Sequence, residues 1–300
     1  MTALHNRTRT SGSIPRKLLR QGKIHLLPVY ALMRTSDLAR EGIDNSGSYR
    51  FADHVYRNEP SGRFGIGRAL DAVLLRMRGA RSMRSRFVHS QQEIVAAARA
   101  ADAHAITNPL IAGPAPFRAL SVPCGIARDL VRAAQIIQNE LPTVYARSTF
   151  FGLDLDPVPL TLSRALVSER DEHFFFSGGD ALDTKAFPSE LDVIVSTGLG
   201  EFLDDELLVR FYTNCHDHLR HGGVFVTSSM QADRIADYLM RQLAELNTHY
   251  RRGDELIRWL HTAGFHDVST RQDDVGLQTL VVARKVDRRR HASPRTTSEP

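Results

Sequence analysis

The spacing of apolar and polar positions changes near residue 117. Before it, "ALDAVLLRMRGARSMRSRF" and "SQQEIVAAARAADAHAI" place apolar residues at helical intervals, so residues 31 to 110 are predicted to be largely helical. Within that region "NSGSYRFADHVYRNEPSGRFGIG", rich in Gly, Ser and aromatic residues, reads as a loop. From Phe117 onward short apolar runs alternate with helical stretches. "FRALSV", "STFFGLDLD", "EHFFFSGGD", "LDVIVST" and "GGVFVTSSM" read as strands. Between them "IARDLVRAAQIIQNE", "PVPLTLSRALVSE" and "DDELLVRFYTNCHDHL" read as helices, the last with a stripe of Leu207, Leu208, Phe211, Tyr212, Cys215 and Leu219. Two further helical segments precede "FHDVSTRQ" and "LQTLVVARK", which "DDVG" joins as a hairpin.

This alternation predicts an α/β fold with a seven-stranded, mostly parallel sheet covered by helices, its last strand antiparallel, behind an N-terminal helical extension. A ligand in such a sheet sits at the carboxyl ends of the strands, where strand order reverses. After the first strand, Cys124, Gly125 and Arg128 occupy a turn with one glycine where a dinucleotide site wants three to bare its backbone to a pyrophosphate. The second strand ends in Asp154 and Leu155, with Asp154 lying 29 positions after Gly125. A carboxylate there can accept from both hydroxyls of a ribose, and Asp156 can cap the next helix. The third strand ends in Asp180 and Ala181, an acid and a backbone amide suited to an adenine edge. The fourth opens on Ser196, Thr197 and Gly198.

Taken in that order, "SVPCGIARDL", "FFGLDLDP", "GGDALD" and "LDVIVSTGLGEFL" resemble the class I S-adenosylmethionine-dependent methyltransferases, a Rossmann-like family, over about residues 115 to 285. The resemblance implies S-adenosylmethionine as cofactor, S-adenosylhomocysteine as product, and no metal. It implies that Gly125 lies beneath the cofactor, that Asp154 holds its ribose, that Asp180 and Ala181 hold its adenine, and that Ser196 to Gly200 border the methionine end. On the acceptor side the candidates are Glu201, Tyr56 and His249 as catalytic groups, and Tyr49, Phe202, Tyr250 and Arg251 as substrate-binding ones. The segment from Tyr49 to Tyr56, with Arg50 and His54, is a candidate lid, and Phe151, Phe202 and Tyr212 suggest an apolar acceptor. His216, His218 and His221 lack the spacing of a metal set. GxSxG and P-loop motifs are absent from the sequence.

Charge refines the picture. The net +5 divides into +6 over residues 1 to 24, +3 over 285 to 300 and −4 over the body. Residues 1 to 30 and 286 to 300 are therefore expected to be disordered basic tails, with 31 to 112 a helical extension or lid and 113 to 285 the cofactor-binding domain. Such tails can touch RNA or anionic lipid but are expected to be solvated. With two cysteines, no apolar run long enough to span a membrane and no secretory signal, a cytoplasmic location follows. The reading is methyl transfer to a small-molecule acceptor, without nucleic acid and with a homodimer as the assembly to test. Its rivals are a catalytically silent methyltransferase-like scaffold and an RNA methyltransferase using the tails. A nicotinamide-dependent dehydrogenase ranks below both because of the turn after the first strand.

Overall fold

The computed structural model describes residues 13–45, 47–107, 115–168, 171–245 and 248–286. The tail expected at 286 to 300 falls, from residue 287 on, outside the described residues, as do residues 1 to 12.

Six helices open the chain: α1 (Ser13–Arg20), α2 (Leu26–Met33), α3 (Asp37–Asp44), α4 (Tyr49–Arg57), α5 (Phe64–Arg76) and α6 (Arg78–Thr107). Two features depart from the sequence expectation. Residues 13 to 30, expected to be disordered, hold α1 and most of α2, because Ile14, Leu18, Leu26 and Tyr30 are buried with Ile43 and Leu243. The stretch read as a loop contains α4 and the start of α5. Ser48 caps α4, its hydroxyl accepting from the Phe51 N–H, and Asn58 ends it in the left-handed conformation.

The second part runs β1 (Phe117–Ser121), α7 (Arg128–Glu140), α8 (Pro142–Tyr145), β2 (Ser148–Asp154), α9 (Pro157–Arg164), β3 (Phe174–Gly178), β4 (Leu191–Thr197), α10 (Asp205–His218), β5 (Leu219–Met230), α11 (Arg234–Leu239), α12 (Gly253–Thr262), β6 (Asp267–Gln272) and β7 (Gln278–Arg284). The sheet order is β3-β2-β1-β4-β5-β7-β6, and β7 runs antiparallel to both neighbours. Asp156 caps α9 by accepting from the Val158 N–H, with Pro157 in the first turn where its missing N–H costs nothing. No helix of the described residues is long and apolar enough to cross a membrane.

Strand alternation divides the core into two layers. On one face Leu120, Ile194 and Phe225 pack against Leu208, Phe211 and Tyr212 of α10 and Leu256 and Leu260 of α12. On the other, Ala119, Val193, Val195, Val224 and Val226 meet Leu130, Ala134 and Ile137 of α7. Ile94, Val95 and Ala98 of α6 lie in that second layer, so the last N-terminal helix is built into the sheet's covering. A one-residue slip in any of these strands would exchange the two layers, which fixes the register.

Candidate functional site

Strand order reverses between β1 and β4, and the carboxyl ends of β1, β2, β3 and β4 open there on a cavity of about 450 Å³. That volume falls within the range of small-molecule sites. Cys124, Gly125, Asp154, Leu155, Asp180, Ala181, Thr197 and Gly198 line it, as do Tyr49, Tyr56, Glu201, Phe202 and Tyr250.

The floor is the turn after β1. Gly125 takes φ +51°, and a Cβ there would sit 3.4 Å from Cβ of Tyr49 on α4, so the turn is left-handed and roofed at the same point. Asp154 ties this turn to β2: its Oδ2 accepts from the Gly125 N–H at 2.8 Å and its Oδ1 from the Asp156 N–H at 2.9 Å. Asp180 closes its own turn by accepting from the Leu182 N–H at 2.9 Å. The Cys124 thiol is pushed up by burial, reinforced by Asp154 and Asp129, so it is protonated at neutral pH.

Helix α4 supplies the roof. Tyr49, Ala52, Asp53 and Tyr56 recur on one helical face and all line the cavity. Asp53 pairs with Arg128 at the start of α7, which clamps the roof to the turn. Arg128, a predicted cofactor contact, thus acts through Asp53 and does not itself line the cavity. His54 is buried away from it, its Nε2 2.9 Å from Asp71 Oδ2.

Where α6 meets the turn after β4, the cavity wall holds a buried cluster that includes Arg86, which its local sequence does not single out. Glu201, buried in the one-turn helix Leu199–Phe202, has Oε1 3.4 Å from a guanidinium nitrogen of Arg86 on α6. The Arg86 Nε donates to the Tyr56 hydroxyl at 3.4 Å. Gly198, at φ +110°, makes room for this guanidinium, since a Cβ there would approach it to 3.1 Å. Burial pushes the Glu201 carboxyl above the ordinary carboxylate range, against the opposing pull of Arg86 and the Met230 N–H. Asp129, in the first turn of α7, also lines the cavity, and burial raises its carboxyl to about 6.

Four other predicted site residues do not line the cavity. His249 is exposed, and its N–H donates to the Glu201 carbonyl at 2.8 Å while its neighbours Thr248 and Tyr250 face inward. Alternate residues of this segment line the cavity, and the imidazole between them is left exposed. Ser196 is buried. Phe151 packs on Phe175, and Tyr212 lies in the core.

Arg251 is a further correction. It does not reach the cavity: its guanidinium donates to the carbonyls of Gly200 at 2.5 Å and Leu203 at 2.7 Å, and to Asp205. It fixes the turn that carries Glu201 and Phe202. Arg251→Ala is expected to lower stability by about 3 kcal/mol, the scale of losing two bonds from a charged donor. A urea melt with an unchanged midpoint would show that the turn holds itself. The three histidines do not converge: His216 packs edge-on to Phe265, His218 shares a hydrogen bond with Thr184, and His221 lies in β5.

Comparison with known proteins adds a family and a fold. A family described as "Putative methyltransferase" matches residues 31–285. No curated protein matches the chain. Among solved structures, a possible exported protein from Bordetella parapertussis is similar over 93% of this chain and 98% of its own, with TM-score 0.71 and 18% identity. The CMeT domain of the citrinin polyketide synthase is similar at TM-score 0.52 and 14% identity, over 90% of this chain and 69% of that one. The S-adenosylmethionine-dependent methyltransferase SibL, in its apo form, is similar at TM-score 0.50 and 16% identity, over 91% and 77%.

Proposed function

The chain belongs to the methyltransferase family matched over residues 31–285, and from that premise we propose that it transfers the methyl group of S-adenosylmethionine to a small-molecule acceptor held beneath α4 and α6. The observation that carries the reading is the charge of the cavity wall. Asp53, Asp129, Asp154, Asp156, Asp180, Glu201, Asp233 and Asp237 line it; Asp53 pairs with Arg128, Asp237 with Arg241 and Glu201 with Arg86, and Arg86 is the one Lys, Arg or His among the described lining residues. Such a wall suits a sulfonium cation and repels a pyrophosphate or a polynucleotide. It counts against the dehydrogenase and RNA readings together.

In this reading Asp154 and Leu155 would hold the ribose, Asp180 and Ala181 the adenine, and Thr197 and Gly198 the methionine end, over the turn at Cys124 and Gly125. When bound, the cofactor supplies a methyl carbon activated by its sulfonium. The chain's own task is to align an acceptor and exclude water. The Glu201 carboxylate, held beside Arg86, would take the acceptor's proton where one must leave, and a carboxyl raised by burial is a stronger base than a solvated one. Tyr56, Tyr49, Phe202 and Tyr250 would wall the acceptor. The two cysteines are unpaired, in keeping with a cytoplasmic location.

Calorimetric titration of the full chain with S-adenosylmethionine and S-adenosylhomocysteine tests the reading. Micromolar binding of both is expected. Affinity for the cationic ligand should rise with pH through about 6, because a bound cation favours the ionised Asp129, whose carboxyl titrates near that value in the free protein. The neutral-sulfur product should show a weaker dependence. No heat with either ligand would overturn the assignment for the isolated chain and favour the scaffold reading. Binding confirmed, transfer of a labelled methyl group to candidate acceptors then identifies the substrate.

A further inference from the structure

A surface helix that packs one face on the protein normally turns a polar face to water. Helix α5 does not. Its buried side carries Gly67, Asp71 and Leu75. On the opposite side Ile66, Val73 and Met77, spaced at helical intervals, are 59%, 56% and 45% exposed, and Phe64 at its start is 83% exposed. The fold holds Phe64 outward at φ +57°, a conformation a bulky side chain rarely adopts. Gly62 and Gly67 fix that corner by packing on the Thr35 carbonyl so closely that a Cβ on either would clash with it.

Around this stripe stand Arg63, Arg68, Arg76 and Arg81, all exposed and in none of the ion pairs among the described residues. The single acid of the helix, Asp71, is fully buried. The charge narrows the occupant. A second copy docked through the same face would set basic rim against basic rim. The chain's own termini are basic as well, with Arg7 and Arg9 before the described residues and Arg288 to Arg290 after them. A polynucleotide would leave four apolar side chains in water. An exposed apolar stripe bordered by unpaired arginines matches the boundary between acyl chains and acidic headgroups.

We propose that α5 is a docking surface for an anionic lipid bilayer, on which the protein lies peripherally with Phe64, Ile66, Val73 and Met77 inserted among the lipids. Gly79, two residues beyond Met77, lines the cavity, so docking would hold the cavity's edge near the lipid surface. The surface is independent of methyl transfer and stands or falls separately.

The test is co-sedimentation of the full chain with vesicles of phosphatidylcholine alone or mixed with phosphatidylglycerol, at low and physiological salt. The wild type should bind the mixed vesicles and leave the neutral ones. Ile66→Asp/Val73→Asp and Arg68→Glu/Arg76→Glu change only exposed positions, so both should keep the wild-type melting temperature while losing binding by about ten-fold or more. Failure of the wild type to bind mixed vesicles at low salt overturns the proposal. So does binding that both variants retain, which would assign it to the basic tails. A dimer in sedimentation velocity that Ile66→Asp/Val73→Asp dissociates, or variant-sensitive binding to RNA stronger than to vesicles, would assign the face to those partners and overturn it equally.

Discussion

Asp154→Ala is expected to weaken binding of S-adenosylmethionine and S-adenosylhomocysteine by about 100- to 1000-fold while the protein stays folded. Two effects combine. The proposed ribose contact is lost, and with it charge-assisted bonds, each worth about 1.5–3 kcal/mol. The second effect is visible without ligand: the Gly125 N–H loses its acceptor at 2.8 Å, and the left-handed turn that floors the cavity loses its tie to β2. A 2′-deoxy analogue of S-adenosylhomocysteine separates the two. Wild type should bind it more weakly than the parent ligand, and the variant should scarcely distinguish them. If the variant binds the parent ligand as tightly as wild type, the ribose is held elsewhere. If it binds weakly but still discriminates the 2′-hydroxyl, Asp154 acts only through the turn. Asp180→Ala should be milder, because that side chain closes its own turn and leaves the floor intact.

The central strands are legible in the sequence because their burial is two-sided and local. In β4 every residue from Leu191 to Ser196 is buried, and a run such as "LDVIVST" has no other plausible place than the centre of a sheet. The acids at strand ends follow from topology, since Asp154 ends β2 and Asp180 lies two residues past the end of β3. What escapes is whatever depends on distant partners. Helix α1 reads as a charged tail because its apolar face is satisfied by Leu243, far along the chain. The signals for α4 are present in Ser48 and Asn58, but flanking glycines and serines outweigh them. Arg86 lies in a segment with arginines at 76, 78, 81 and 84, and nothing local distinguishes the one that turns inward to Glu201. His249 and Arg251 flank Tyr250 in sequence, but neither lines the cavity. Nearness in sequence does not carry a side chain into a site, since Thr248 and Tyr250 line the cavity while His249 and Arg251 do not.

Arg86 itself carries the second large effect. Arg86→Met is expected to destabilise the protein by about 3–5 kcal/mol at neutral pH, because it leaves the buried Glu201 carboxylate without its cation. The pH dependence follows from the sign of the shift. In the folded wild type, burial already raises the Glu201 carboxyl and Arg86 opposes that rise, so removing Arg86 raises it further. Below the ordinary glutamate value, about 4.3, the group is protonated in the folded and unfolded chains alike, and the penalty for the unpaired charge vanishes. As pH rises past it, the unfolded chain ionises first and both proteins lose stability alike; the variant falls below wild type once Glu201 ionises in the folded wild type while it stays protonated in the folded variant. The loss continues until Glu201 ionises in the folded variant, and the difference is constant above that point. Urea melts of both proteins from pH 4 to 8 should therefore diverge upward in pH. Glu201→Gln added to Arg86→Met should recover much of the loss at pH 8 and change little at pH 4. An equal loss at both ends of the range would mean that Arg86 matters through packing against Gly198 and Tyr56, with its charge incidental. A double variant no more stable than the single one at pH 8 would likewise assign the loss to packing.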